Sequence, residues 1–441
     1  MASRGQHLLR ADRRFATGGG LLGKLAAPAY ARILDQIDRR LVIGGIEVLA
    51  PGGAARQLGF RADGPVAIVR LNTMMALVRL ALSGSVGWYK AWEMGEWSSP
   101  DPVKVFEVFS ANARSLGDTG RAKGLFRLVN ALAHRLRDNA PRTARKNIAA
   151  HYDLGNDFYS AWLDESMTYS SGCFTSPLPL AGGAGGGPVT SSASNPTNPP
   201  GERDHDLESA QHRKIATLLD RLDLKPGHRL LEIGCGWGSL AIAAARRGVS
   251  VVGLTLSLEQ KHWAEHKIAE AGLSERIEIR LQDYRQTDDR YDAVASIEMV
   301  EAVGERWWGT YLDCIARNLT PGGRAALQYI SIDHALFDAY RRSADFIQTY
   351  IFPGGMLVDE PGFADLARQR GLSWDDRDGF GQDYAHTLRL WRERFDEAAA
   401  RGDLVDFDAA FQRLWRYYLM YCEGGFRGRA IDVAQVTMIK A

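Results

Sequence analysis

The stretch LLEIGCGWGSLAIAAA, residues 230–245, decides the fold of this protein. It begins as an apolar run, passes through Glu232 into three alternating glycines, and continues as an apolar segment. Glycine permits sharp turns and lets bare backbone approach a ligand, so the pattern is typical of a strand, a ligand-binding turn and a helix. We therefore expect a small-molecule site at Gly234, Gly236 and Gly238.

The segments around this stretch alternate between helical and β-like patterns. Helices are predicted at 208–222, 239–247 and 258–271, and strands at 229–233, 249–254, 277–281, 291–296 and 324–330. This order predicts an α/β fold in which helices cover both faces of a doubly wound, mostly parallel sheet. Ligands of such sheets bind at the carboxyl ends of the strands. Farther on, residues 391–422 are predicted to be helical, and Thr437–Lys440 to be a final edge strand.

The residues around the glycine turn favour S-adenosylmethionine as the ligand. The spacing E-x-G-x-G-x-G differs from the G-x-G-x-x-G of dinucleotide folds, and the sequence has no phosphate-binding G-x-x-x-x-G-K-[ST]. The carboxylate of Glu232 suits a cationic ligand, and S-adenosylmethionine carries a sulfonium and an ammonium group. At later strand ends, Thr255 and Gln260 are predicted to contact the ribose, and Asp283 and Tyr284 the adenine.

The chain of 441 residues has a basic and an acidic part. Residues 1–150 carry 23 Lys and Arg against 11 Asp and Glu, whereas the remainder carries 31 against 42. Within the basic part, residues 121–146 combine eight Lys and Arg with leucines at helical spacing. This pattern is typical of a helix that lies on an anionic membrane surface, and the alternative is an amphipathic helix packed on its own domain.

Composition also predicts the domain organisation. We expect a smaller basic α+β domain at 1–146, which approaches the membrane, and a catalytic domain at 147–441. A stretch rich in Gly, Pro and Ser at 176–206 is predicted to be a disordered insertion, with a linker between independent domains as the alternative. Because no apolar run reaches about 18 residues and no export signal is evident, we expect a cytoplasmic protein. No His, Cys, Asp and Glu cluster has metal-ligand spacing, so no metal site is predicted.

Seven stretches carry further motifs, at 147–171 (NIAAHYDLGNDFYSAWLDESMTYSS), 231–238 (LEIGCGWG), 251–260 (VVGLTLSLEQ), 281–285 (LQDYR), 296–304 (SIEMVEAVG), 350–355 (YIFPGG) and 383–391 (DYAHTLRLW). In this order they resemble the cyclopropane-fatty-acyl-phospholipid synthases and the related mycolic acid methyltransferases. The resemblance implies a class I, Rossmann-like S-adenosylmethionine-dependent methyltransferase. It also implies that Tyr169 and Ser170 hold the methionine end of the cofactor, and that Glu301 lies in the active centre.

The chemistry implied by the resemblance is methyl transfer to the cis double bond of an unsaturated phospholipid acyl chain. The resulting carbocation then loses a proton from the new methyl group and closes a cyclopropane ring. In the resembling family a bound bicarbonate ion is the base, and the residues that match its ligands are Ser171, Glu301, Gln328, Ile330 and Tyr384. Ser171 replaces a cysteine and Gln328 a histidine, but both can still hydrogen-bond to an anion.

Several alternatives remain open. If a hydride shifts before the proton leaves, the product is a methylene- or methyl-branched chain. The changes at Ser171 and Gln328 also allow a lipid-binding protein that has lost catalysis. A nucleic-acid-modifying enzyme would use the basic N-terminal part, but the catalytic half is acidic, so we expect no nucleic-acid partner. We expect instead a protein that is peripheral at the inner face of the membrane; a homodimer also remains open.

Overall fold

The computed structural model describes Arg4, Leu8 and residues 27–117, 154–174 and 207–441. The basic segment predicted at 121–146 and the insertion predicted at 176–206 lie outside the described residues. Two β-sheets, one of four strands and one of seven, organise the described part of the chain.

The four-stranded sheet belongs to the predicted N-terminal α+β region. Its elements are helix α1 (Ala27–Arg40), strands β1 (Ile43–Leu49), β2 (Ala55–Gly59) and β3 (Ala62–Leu71), helix α2 (Met75–Glu93), strand β4 (Trp97–Ser98), and helices α3 (Pro102–Ala111) and α4 (Ala113–Leu116). The strand order is β2-β1-β3-β4, with β1 antiparallel to β2 and parallel to β3. Helix α2 has a kink at Gly84, whose φ is 59°.

The seven-stranded sheet contains the predicted parallel strands. Its members are β5 (Arg229–Ile233), β6 (Ser250–Thr255), β7 (Ile277–Leu281), β8 (Tyr291–Ile297), β9 (Leu319–Ile332), β10 (Asp375–Gly379) and β11 (Ile431–Ile439). The order is β10-β11-β9-β8-β5-β6-β7, and β5 to β9 pair in parallel. The bounds predicted for β5 and β7 agree with the structure to the residue, and the doubly wound, mostly parallel sheet is confirmed.

Helices cover both faces of this sheet. The helices of this part of the chain are α5 (Asn156–Ser160), α6 (Leu207–Arg221), α7 (Ser239–Arg246), α8 (Leu258–Glu270), α9 (Trp308–Asn318), α10 (His334–Tyr340), α11 (Glu360–Arg368), α12 (Gly381–Arg401) and α13 (Ala409–Arg427). Along β5, Leu230 packs in the core that contains α6, α7 and α8, whereas Leu231 packs in the core that contains α9, α10 and α11. Neighbouring residues of a strand point to opposite faces, so both faces are buried.

The prediction of a final edge strand is wrong. Strand β11 lies between β9 and β10 and pairs with β9 in antiparallel register from Ile431 opposite Ile332 to Ile439 opposite Arg324. Strand β10 pairs with the edge of β11 that the sequence pattern leaves open, and Val433 and Val436 are completely buried in separate hydrophobic cores.

One hydrophobic core joins the N-terminal region to the C-terminal helices. Tyr89 of α2 contacts Phe346, Tyr350 and Tyr417, with ring centroids 4.8–4.9 Å apart. Helices α13 and α3 approach closely at Gly424, where a Cβ atom would lie 2.4 Å from the Cβ of Phe106. The core therefore crosses the predicted boundary at residue 146. No helix in the described ranges has the length and apolar character of a membrane-spanning segment.

Candidate active site

The glycine turn after β5 adopts a backbone that only glycine accepts readily. Gly234 and Gly236 have φ values of 83° and 50°, in the left-handed region. A Cβ atom on Gly234 would lie 3.0 Å from the Cγ of Met299, whereas a Cβ atom on Gly236 would meet nothing within 4 Å. Gly236 therefore presents bare backbone to open space, as a site for a closely held ligand requires.

A cavity of about 170 Å³ lies over this turn, at the carboxyl ends of the parallel strands. We call it the cofactor cleft. Nine of the ten predicted cofactor residues line it, namely Tyr169, Ser170, Glu232, Gly234, Gly236, Thr255, Gln260, Asp283 and Tyr284. Gly238 does not line the cleft but precedes α7, where a Cβ atom would lie 3.1 Å from the Cβ of Ala264. A glycine at that position lets α7 approach α8.

Polar side chains of the cleft are held in place by hydrogen bonds. The hydroxyl of Thr255 donates to Oε1 of Gln260 at 2.9 Å. The Asp283 carboxylate accepts two hydrogen bonds from the guanidinium of Arg285, at 2.8 and 2.6 Å. Gln282 also lines the cleft and was not predicted, although it lies beside Asp283 in the same motif. These contacts hold the polar side chains that follow β6 and β7, which form one end of the cleft.

Glu232 and Lys214 are two buried ionisable side chains beside the cleft. Oε2 of Glu232 is buried without a hydrogen-bond partner among the described residues, and burial raises the pKa of this carboxyl to about 8. Lys214 is fully buried in α6 and donates to the hydroxyl of Ser170 at 2.6 Å. Burial lowers the pKa of Lys214 to about 8. Sequence reasoning missed Lys214, because it lies on a helix outside every motif.

An unpaired carboxylate oxygen beside bare glycine backbone fits S-adenosylmethionine. The cationic ligand would give Glu232 a charge partner that the protein does not itself provide at Oε2. The backbone at Gly236 has room for close approach. Within the described ranges, no group of three His, Cys, Asp or Glu side chains is arranged to hold a metal ion.

A second, larger cavity of about 430 Å³ adjoins the cofactor cleft. We call it the apolar cavity, because its walls are mostly aliphatic and aromatic. It extends from Leu80 and Gly84 of α2, past Phe109 of α3, to Leu388 and Tyr418 of the C-terminal helices. Residues that line both cavities are Tyr169, Glu298 and Ala302.

The predicted anion-holding residues meet a carboxylate that sequence reasoning missed. Oε1 of Glu298 accepts hydrogen bonds from the backbone N–H of Ser171 at 2.9 Å and from Nε2 of Gln328 at 2.8 Å. Oε2 of Glu298 accepts a hydrogen bond from the hydroxyl of Tyr384 at 2.6 Å. Three residues predicted to act with Glu301 therefore surround Glu298. Ser171 contributes its backbone rather than its hydroxyl, which donates to the carbonyl of Gly172.

Glu301 occupies a neighbouring position in the apolar cavity. It lies in a 3-10 turn (Val300–Ala302) that follows β8, which ends at Ile297. Oε1 of Glu301 accepts a hydrogen bond from the backbone N–H of Ile330. Glu298 comes first after β8 and reaches the three donors with a left-handed φ of 48°. That backbone conformation gives no sequence signal at a non-glycine residue, although Glu298 belongs to the motif SIEMVEAVG.

Bicarbonate does not fit the residues predicted to hold it. The N–H of Ser171, the amide of Gln328 and the hydroxyl of Tyr384 already donate to Glu298. A second anion would compete for the same donors and be repelled by this carboxylate.

The two carboxyl groups lie in unlike electrostatic surroundings. Burial raises the pKa of both, but hydrogen bonds from Tyr384, Ser171 and Gln328 oppose the rise at Glu298. At Glu301 the pKa is raised to about 8 by burial and by repulsion from Glu298. The three hydrogen bonds favour the charged form of Glu298, whereas a pKa of about 8 favours the protonated form of Glu301 at neutral pH.

Aromatic rings surround the junction of the two cavities. The hydroxyls of Tyr169 and Tyr418 lie 2.8 Å apart. The ring of Tyr169 lies 5.4 Å from Trp391 and 5.6 Å from Trp162, measured between centroids. Such rings attract a cation by about 0.5–2 kcal/mol each.

Comparisons with known proteins agree with this arrangement. The family described as mycolic acid cyclopropane synthetase matches residues 139–436. The chain belongs to the mycolic acid cyclopropane synthetase family. The membership confirms the resemblance found in the sequence, and with the fold it identifies the chain as an S-adenosylmethionine-dependent methyltransferase.

Two curated relatives of this family cover most of the chain. The chain is 39% identical over 364 residues to the tuberculostearic acid methyltransferase UfaA1 of Mycobacterium tuberculosis, which is 82% of this chain and 80% of the relative. It is 37% identical over 290 residues to the cyclopropane-fatty-acyl-phospholipid synthase of Escherichia coli, which is 65% of this chain and 66% of the relative.

Solved structures of the mycolic acid cyclopropane synthetase family share the fold. The cyclopropane synthase MmaA2 from Mycobacterium tuberculosis superimposes with a TM-score of 0.56 at 29% identity, covering 67% of this chain and 98% of that one. The mycolic acid cyclopropane synthase CmaA1, complexed with SAH and CTAB, gives a TM-score of 0.57 at 28% identity, with the same coverage.

Proposed function

We propose that this protein transfers the methyl group of S-adenosylmethionine to the cis double bond of an unsaturated acyl chain in a phospholipid. One observation carries the proposal: Tyr169, Glu298 and Ala302 line both the cofactor cleft and the apolar cavity. An apolar acceptor in the larger cavity would therefore lie beside the donor. The complex of CmaA1 with SAH and CTAB, a long-chain detergent, supports a long-chain occupant.

The alkene of an acyl chain is a weak nucleophile, and residues of the protein provide the conditions under which it can react. When bound, S-adenosylmethionine supplies an electrophilic methyl group. The apolar cavity excludes water and aligns the alkene, which replaces a bimolecular encounter by a fixed geometry. The ring of Tyr169, which lines both cavities, stabilises the carbocation without reacting with it. A carboxylate at the junction accepts the proton that the methylated chain must lose.

We propose a methylene-branched acyl chain as the product. The 39% identity to the tuberculostearic acid methyltransferase over 82% of the chain supports methyl transfer without ring closure, and loss of a methyl proton then leaves a methylene group. A cyclopropane ring is the second candidate, favoured by the 37% identity to the cyclopropane-fatty-acyl-phospholipid synthase. Both products add one CH₂ to the chain and require loss of one methyl proton; they differ in whether a hydride shift comes first.

The proposed substrate requires the protein to reach a membrane surface. The substrate lies in a bilayer, and residues 121–146 combine eight Lys and Arg with a single Asp. We propose that this segment binds anionic lipid headgroups at the inner membrane face.

The test uses purified protein, S-adenosylmethionine with a trideuterated methyl group, and vesicles of defined mono-unsaturated phospholipids. We expect mass spectrometry to show acyl chains with two retained deuterons, because one leaves during deprotonation. Proton NMR then separates olefinic methylene signals from high-field cyclopropane signals. Vesicles of saturated lipid are the control. Absence of labelled chains from every unsaturated lipid would refute the proposal.

A further inference from the structure

We propose that the carboxylate of Glu298 is a built-in catalytic base, which removes the methyl proton without a bicarbonate ion. The inference rests on the methyl transfer proposed above and adds the identity of the proton acceptor. Three residues that were predicted to hold a bicarbonate ion donate hydrogen bonds to Glu298 instead.

The carboxylate of Glu298 accepts hydrogen bonds from three residues predicted to hold an anion, and it has room to accept a proton. A carboxylate has about four acceptor positions. Three are filled, two on Oε1 by Ser171 and Gln328 and one on Oε2 by Tyr384. The remaining position is on Oε2. Since Glu298 lines both cavities, its carboxylate is at the junction where donor and acceptor would meet.

A second layer of hydrogen bonds fixes the donor from Gln328. Gln435 on β11 lies directly opposite Gln328 on β9, and its Nε2 donates to Oε1 of Gln328 at 3.1 Å. The amide of Gln328 therefore turns its Nε2 toward Glu298. Both glutamines are almost completely buried. Burying two side-chain amides in a sheet costs free energy unless they form hydrogen bonds. Here Gln435 bonds to Gln328, and Gln328 donates to the carboxylate of Glu298.

The backbone of Glu298 adopts a conformation that is unusual for a residue with a side chain. Its φ of 48° is left-handed, a conformation that residues other than glycine rarely adopt. Glycine would adopt it readily, yet the chain places a carboxylate there. Such outliers concentrate at functional sites, where the surrounding structure holds them.

The proton-transfer step balances with groups already named. Methyl transfer breaks the S–CH₃ bond of the sulfonium, forms a C–CH₃ bond, and leaves the acyl chain as a carbocation. Oε2 of Glu298 then forms an O–H bond to a proton of the new methyl group. The C–H electron pair forms the C=C bond of a methylene branch after a hydride shift, or closes a ring without one. A proton next to a carbocation is strongly acidic, so a hydrogen-bonded carboxylate is a sufficient base.

The deciding experiment compares the full-length protein with its Glu298→Gly and Glu298→Gln variants, in buffer freed of carbon dioxide and in buffer with added bicarbonate. We expect turnover of the unaltered protein to be the same in both buffers. In Glu298→Gly we expect turnover to fall by about 100-fold or more and to rise at least about tenfold with bicarbonate. The vacated space and the freed donors would then hold the small anion.

Glu298→Gln keeps the size of the side chain but not the base. It should lose a similar amount of turnover, keep its affinity for S-adenosylmethionine by calorimetry, and gain nothing from bicarbonate. The matched control is Asp223→Gly, because Asp223 is an exposed acidic residue with φ 49°. This variant should keep full turnover without response to bicarbonate.

Three results would overturn the role of Glu298. They are bicarbonate dependence of the unaltered protein, full turnover of Glu298→Gln, and a Glu298→Gly variant that binds cofactor normally but is not rescued. A purely structural role would not produce rescue by a free anion. Failure of the proposed function looks different, because the unaltered protein would then label no lipid in either buffer.

Discussion

The two cavities that meet at Glu298 offer their ligands opposite surroundings. The cofactor cleft presents bare glycine backbone and the unpaired oxygen of Glu232, which suit a small charged donor. The apolar cavity presents aliphatic and aromatic side chains from α2, α3, α12 and α13, which suit an acyl chain. The difference shows how one protein can bring a cationic donor to an acceptor without polar groups. The carboxyl group of Glu298 lies at the junction, where a carbocation would form.

The largest expected effect is in the cofactor cleft, with Gly236→Leu. The new side chain would project into the cleft from a backbone with φ 50°, so we expect the Kd for S-adenosylmethionine to rise about 100-fold or more. Isothermal calorimetry measures the Kd. Gly272→Leu is the control, since Gly272 also has a left-handed φ and open space but lies outside both cavities. Equal losses in the two variants would show that backbone strain, not the cleft, is responsible.

An intermediate effect is expected from the pH dependence of cofactor binding. Burial raises the pKa of Glu232 to about 8 in the free protein, and a cationic ligand would lower it. The complex then holds fewer protons than the free protein, so affinity should increase from about pH 6 to about pH 7.5, by up to about tenfold per pH unit. Calorimetry in buffers of different ionisation enthalpy should detect proton release.

Glu232→Gln sharpens this test. The variant should bind S-adenosylmethionine at least about tenfold more weakly at pH 7.5 and lose most of the pH dependence. Glu275→Gln, at an exposed position, should retain both the affinity and its slope. An unchanged slope in Glu232→Gln would assign the proton to another group and contradict the role of Glu232.

The smallest effect is expected in the apolar cavity, with Ala113→Phe. Ala113 lines this cavity but not the cofactor cleft, so a ring there would reduce the space for an acyl chain. We expect kcat/KM for lipid vesicles to fall about threefold to tenfold while the Kd for S-adenosylmethionine stays constant. Ala54→Phe, in an exposed turn, is the control. If the Kd shifts together with kcat/KM, the two cavities are not separable.

The sequence predicted the cofactor side more completely than the junction. Each predicted cofactor residue lies in a short motif at a strand end, where parallel topology brings strand ends together. Nine of the ten line one cleft. Glu298 was missed although its motif was recognised, because the left-handed backbone that turns it toward Tyr384 has no signature in a non-glycine residue. Lys214 was missed because only the packing of α6 brings it to Ser170.

By itself, the sequence determined the parallel sheet, the glycine turn and the family, because these depend on local periodicity and on glycines at fixed spacing. Tertiary structure alone decided the position of β11 inside the sheet and the assembly of the apolar cavity from α2, α3, α12 and α13. It also decided which carboxylate receives the hydrogen bonds of Ser171, Gln328 and Tyr384. Such features depend on contacts between segments far apart in the chain, and their geometry is set only when the core packs.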